Sequence, residues 1–236
     1  MRMSAVRSHD NTPFYVGLVL LTAVVGFYPT YFSRLAEAGL LRHLHGALAM
    51  AWLLLLVTQG LLARSGRFAL HRTLGWASLV LVPLFLASGF ALLCDSLAGG
   101  NPFQKAFAPR LTFVDLIALG YFAFCYAMAI RHRRHRPLHA RYMASTAVLV
   151  LPPALARALG FFMPGIDSFE AAFHAAMAIS ALVVVVLIVR DGLEGRVRLP
   201  YPLLLAILLV QDLGFILVAD WASWQALCAR MAALAG

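Results

Sequence analysis

Apolar residues run through this chain in seven stretches of membrane-spanning length, at 13–32, 41–62, 70–93, 111–130, 138–162, 169–189 and 201–219. About twenty such residues cross a hydrocarbon core of about 30 Å as an α-helix. The breaks carry the expected stop signals: Ser65-Gly66, Gly99-Gly100-Asn101-Pro102, Arg136-Pro137, Pro164-Gly165 and Pro200. The pattern predicts an all-α polytopic membrane protein, a seven-transmembrane-helix bundle forming one integral membrane domain over 1–236. The closing segment 221–235, with Trp221 and Trp224 among mixed neighbours, reads as a helix lying at the interface.

Composition agrees with the pattern. Of 236 residues 62% are hydrophobic and 12% charged, and the mean hydropathy is +0.84. Soluble domains carry about 25% charged residues, and the apolar runs leave no room for one here.

The formal charge of +9 comes from arginines in short turns, with no continuous basic face. That distribution fits anionic lipid headgroups and excludes a nucleic-acid partner. Thirteen of the nineteen Lys and Arg fall on one side of the alternating spans. The positive-inside rule then predicts a cytoplasmic N-terminus and an outer C-terminus. The N-terminus has the basic start of a signal peptide (Arg2, Arg7). It lacks a small-residue cleavage site and runs into Tyr28, Tyr31 and Phe32, so it reads as a retained span.

Histidine carries the candidate chemistry, because it is costly in hydrocarbon and the commonest metal ligand among side chains. His43 and His45 open the second span and His174 lies just inside the sixth, all at the outer face. His71 opens the third and His139 the fifth, at the inner face. Helix rise separates the two layers by about 25 Å on each of two independent helix pairs. A bis-histidine haem needs two imidazoles from different helices at one depth, and a two-haem membrane cytochrome needs that twice.

Of His43 and His45 one faces inward, and the stripe His45, Trp52, Gln59 selects His45, with His43 as the alternative. His71 shares a face with Gly75 and Ser78, small enough for a macrocycle or a helix to come close. Against this stands the plainer role of histidine beside arginine as a headgroup anchor, which suits His132 and His135 and stands equally beside ligation for His71 and His139.

Asp115 and Asp212 interrupt apolar spans, so each implies a partner. For Asp115, near the outer end of the fourth span, the partner is Arg110, Arg157 or an outer histidine. Either carboxylate is a helix-packing ion pair, an orienter of a metal-bound histidine, or a proton-relay group. Cys94, Cys125 and Cys228 form no metal spacing, and Cys94 and Cys228 share the outer side as a bridge or as two thiols. Hydrolase and nucleotide-binding motifs are absent.

The elements HLHG, HRTLGW and RPLHARYMAST, from His43 to Ala147, resemble those of bacterial multi-pass membrane proteins with HR-x-L-G and H-x-R-x-M elements. This implies a bacterial inner (plasma) membrane location. A looser likeness is to di-haem membrane proteins of the cytochrome b561 type, which place histidines on consecutive helices at two depths. That likeness implies haem b held by His45 with His174 and by His71 with His139. The chain departs from it in having no histidine in the fourth span.

The expected function is transmembrane electron transfer, with a quinone or a redox protein as partner. The alternatives are a copper- or zinc-binding membrane protein that uses one histidine layer with Asp115, such as an oxidase-assembly or metal-handling factor, and a structural subunit of a membrane complex.

Overall fold

The computed structural model describes residues 11–235; the basic start at Arg2 and Arg7 lies outside the described residues. Among these the chain is helical throughout, without strands. The helices are α1 (Thr12–Phe27), α2 (Leu40–Arg64), α3 (Phe68–Ala98), α4 (Pro102–Arg131), α5 (Arg136–Val148), α6 (Leu151–Phe162), α7 (Phe169–Leu193), α8 (Pro200–Leu217) and α9 (Ala222–Ala232). Six segments are long and apolar enough to cross a membrane, α5 and α6 together making one of them; α1 is apolar but has 16 residues.

Two boundaries differ from the sequence pattern for identifiable reasons. α4 begins at Pro102 instead of near 111, because Asn101 and Gln104 form a capping box that satisfies the first free N–H groups, with proline at the first helical position. The run 138–162 is two helices. Pro152 and Pro153 offer no N–H to the preceding turn, and their rings clash with its carbonyls, so the helix stops at Val148 and restarts at Leu151.

That break organises the bundle. Helices α1, α2, α3, α4, α8, α7 and α6 pack in that order around a closed ring, and α5 touches α1, α2, α4 and α8 from within it. α5 is accordingly buried on all sides, at Arg141, Tyr142, Ser145, Thr146, Ala147 and Val148. The prolines then carry α6 out to the rim between α1 and α7. There Gly26 lies against the carbonyl of Ala154, closer than any side chain would permit.

Helices α2, α4 and α7 start at one end of the bundle, called here the His45 end; α3, α5 and α8 start at the other, the His71 end. With no water in hydrocarbon, buried polar side chains must bond to protein. Tyr121 donates to Pro200 O at 3.0 Å and Gln211 to Val114 O at 2.8 Å, joining α4 to α8. Trp52 donates to Thr146 Oγ1 at 3.2 Å, tying α2 to the central helix. At the His45 end α9 packs on α3 and α4, with Trp224 donating to Pro109 O at 2.9 Å. Cys94 and Cys228 are buried in separate clusters there, and both are free thiols.

Candidate functional site

At the His71 end the first turns of α3 and α5 each present a histidine to the other. The imidazoles of His71 and His139 stand 6.4 Å apart between ring centres, their planes at 65°. His139 bonds through Nδ1 to the carbonyl of Ala129 on α4 at 2.9 Å. His71 bonds through Nδ1 to the carbonyl of Gln59 on α2 at 3.2 Å, and Gln59 Nε2 returns a bond to the carbonyl of His71 at 2.9 Å.

A carbonyl accepts only, so each ring carries its proton on Nδ1 and leaves Nε2 with its lone pair. Neither Nε2 has a hydrogen bond among the described residues. An Nδ1–H held by a backbone carbonyl is the usual support of a metal-ligating histidine.

Separation gives a second test. A metal bonded at about 2.0 Å to one nitrogen from each of two imidazoles holds their ring centres roughly 6 Å apart. The ring centres of the pair stand at a comparable distance. The surroundings are small or polar: Gly75, where an added Cβ would meet only Gln59 Nε2 at 3.6 Å, and Ser78, bonded to Tyr126 at 2.8 Å. Gln59 Oε1 is buried and accepts no hydrogen bond, which leaves a free acceptor beside His71.

Two protein ligands are what an axially held haem requires, since the porphyrin brings four of its own. Zinc sites use three or four protein ligands, and among the described residues no three His, Cys, Asp or Glu side chains come together. The His71 end thus offers two candidate donors, His71 and His139.

The remaining predicted residues are held elsewhere. His45 bonds through Nδ1 to Ser88 Oγ at 3.0 Å and stacks on Phe85 at 4.8 Å, close against Gly89 of α3. His174 bonds through Nδ1 to Asp212 Oδ1 on α8 at 2.7 Å. Helix α4 lies beside both and serves as a ruler. Gly89, which packs on His45, lies against Leu119, while Gln211 and Gly214, either side of Asp212, lie against Val114 and Phe113. The two levels differ by roughly 7.5 to 9 Å of helix rise, and no ring contact joins His45 to His174 among the described residues.

His43 is bonded to the Tyr31 hydroxyl at 2.9 Å. His135 caps α5, accepting from the N–H of Leu138, and His132 stacks on Tyr142. Asp115 interacts with Arg157 of α6 as an opposite charge, and no histidine bonds it. Arg157 also donates to Pro153 O at 2.8 Å and lies over the Phe27 ring at 4.5 Å.

One polar group was not legible as a site residue. Arg141 is 3% exposed and grips Asp191 of α7 with two nitrogens, Nε at 2.8 Å from both carboxylate oxygens and Nη2 at 2.6 Å from Oδ1. Pro137 O accepts a further bond, and Glu194 lies 3.5 Å away. Residues two apart on a helix point about 200° apart. Holding Arg141 against α7 therefore turns His139 toward α3 and α4. The H-x-R spacing contains that relation, but Arg141 counts as a headgroup charge until the depth of α5 is known.

No family model, curated protein or solved structure matches the chain.

Proposed function

We propose that the protein is a b-type, haem-binding transmembrane electron-transfer protein, in which His71 and His139 would hold the haem. The observation that carries the reading is the pairing of two imidazoles at 6.4 Å, each with Nδ1 on a backbone carbonyl and Nε2 without a hydrogen bond. Haem bound there supplies a one-electron couple. Gln59 and Ala129 fix the ring tautomers, and Arg141 with Asp191 fixes the rotation of α5. Since His45 and His174 have separate partners at different levels, the reading takes one haem, at the His71 end.

The same reading puts the protein in a bacterial inner membrane, with α1 as a seventh span and the N-terminus inside. Thr12–Phe27 is about 24 Å long by helix rise, short enough to need local thinning of the bilayer or a contribution from its flanks. The eleven basic residues from Arg64 to Arg198 in the turns and helix ends on the His71 side support that orientation. Haem bound there would exchange electrons with a quinone or a redox protein.

The test is an absorption spectrum of the purified protein, oxidised and reduced, together with elemental analysis. A Soret band, and iron in equal amount to protein, are expected. Absence of a Soret band after haem supplementation would falsify the reading, and stoichiometric copper or zinc without porphyrin would replace it with the metal-handling alternative.

A further inference from the structure

Several guanidiniums at the His71 end are already engaged. Arg141 takes Asp191 and Glu194, Arg190 lies over the Tyr15 ring, and Arg136 lies over Phe68. Arg64, the last residue of α2, and Arg67, just before α3, make no ion pair and no side-chain hydrogen bond among the described residues.

Exposed arginines are ordinary, but these two line a cleft. The chain passes from α2 to α3 through Ser65 and Gly66, where Gly66 at φ 72° supplies the left-handed step that makes the turn tight. The turn borders an open cleft of about 510 Å³, lined by Leu61, Leu62, Arg64, Ser65 and Arg67. That volume is in the range of small-ligand clefts.

Charge restricts the occupant first. Two cations without a counter-charge call for an anion, and the guanidinium fork matches the oxygens of a phosphate. Asp191 and Glu194, the carboxylates at this end among the described residues, are held at Arg141. No acid therefore stands beside the cleft to receive the ammonium of a zwitterionic headgroup.

The apolar wall restricts the source of the anion. Leu54 and Leu61 stand seven residues apart on one face of α2 and are 50% and 51% exposed, so an apolar strip leads from the cleft along the span. A free phosphate makes no use of that strip, whereas an acyl chain lies along it. The turn also joins two helices of spanning length, at the depth where headgroups lie.

We propose that the turn between α2 and α3 binds one anionic phospholipid, with its phosphodiester at Arg64 and Arg67 and an acyl chain along Leu61 and Leu54. The attraction of basic turns to an anionic leaflet is diffuse and follows the total charge. A cleft with an apolar strip instead holds one lipid at one place. The site is independent of the haem reading.

The experiment uses the full chain purified in dodecyl maltoside and titrated with palmitoyl-oleoyl phosphatidylglycerol, or with phosphatidylethanolamine of the same chains. Bound lipid is counted by native mass spectrometry. One phosphatidylglycerol per chain is expected to be retained in preference to phosphatidylethanolamine. Arg64→Gln combined with Arg67→Gln is expected to weaken that binding by about tenfold or more. Arg133→Gln combined with Arg134→Gln removes the same charge from the exposed turn between α4 and α5, and is expected to leave it unchanged.

Ser65→Asp keeps both arginines and sets a carboxylate in the cleft, and the same loss is expected from it should the double variant fail to fold. Millimolar inorganic phosphate is expected not to displace the lipid. Equal loss from both arginine pairs overturns the proposal in favour of diffuse attraction. Equal retention of the two lipids, unchanged retention in a folded cleft variant, or displacement by inorganic phosphate overturns it as well.

Discussion

His71 and His139 meet ring to ring although neither helix that carries them packs directly on the other; the carbonyls that hold them belong to α2 and α4. In the haem reading each imidazole is indispensable and replaceable only by another imidazole. His139→Gly is expected to abolish the Soret band, and free imidazole in the millimolar range is expected to restore it. His45→Ala, whose ring faces Ser88 and Phe85, is expected to leave the spectrum intact.

Gln59 holds the backbone of His71 while its own carbonyl holds the ring. Gln59→Leu removes the first bond and keeps the second. A neutral hydrogen bond contributes about 1 kcal/mol, so a loss of that size is expected in denaturant unfolding. The absorption maximum should survive, because the ring's own acceptor remains.

The Arg141–Asp191 pair is nearly fully buried, so breaking one side removes the closest counter-charge of the other in a water-poor interior. Arg141→Leu or Asp191→Leu alone is expected to cost about 3–5 kcal/mol. The double leucine variant should recover much of the loss. A double-mutant cycle by detergent or urea unfolding measures the difference, and additive costs would refute the pairing.

At the crossing of α1 and α6, Gly26 touches the carbonyl of Ala154. Gly26→Val places two methyl groups where that backbone lies, and neither helix can yield without losing its neighbours. Separation of α1 from the ring is expected, seen as new protease sensitivity at residues 28–37, whereas Gly17→Ala, which meets nothing within 4 Å, should be silent.

Burial pushes the Cys228 thiol up from its ordinary range. The thiolate, which is the reactive form, is therefore scarce near pH 8 and increases only at higher pH. Maleimide labelling at Cys228 should be slower than for a free thiol and should accelerate as pH rises. Trp224→Ala, which uncovers the thiol, should speed it at constant pH.

Most of the membrane architecture was legible because an apolar run of spanning length is itself the signal. The depth of His71 and His139 was legible too, since both sit one turn into helices that start at the same end. Three features were not read from hydropathy. Asn101 with Gln104 starts α4 early by a local cap. Pro152 with Pro153 divides an apolar run that hydropathy joins. Asp191 sits in a turn-like DGLEG context and becomes a buried partner only because α5 lies inside the ring. His45 and His174 share a predicted layer, but helix rise alone does not resolve the differing packing levels along α4 that hold them apart.

The central position of α5 also constrains how the chain is assembled during synthesis. Its sequence, RPLHARYMASTAV, is too polar to leave the translocation machinery for lipid as an independent helix. The carboxylate that neutralises Arg141 is made 50 residues later. Until α7 emerges, Arg141 lacks the Asp191 carboxylate, so α5 should wait at the headgroup surface while the helices on either side insert. Ring closure by α7 and α8 then draws it inward. The fifth span in sequence is thus among the last to take its place, and truncations ending before residue 191 should leave α5 outside the bundle.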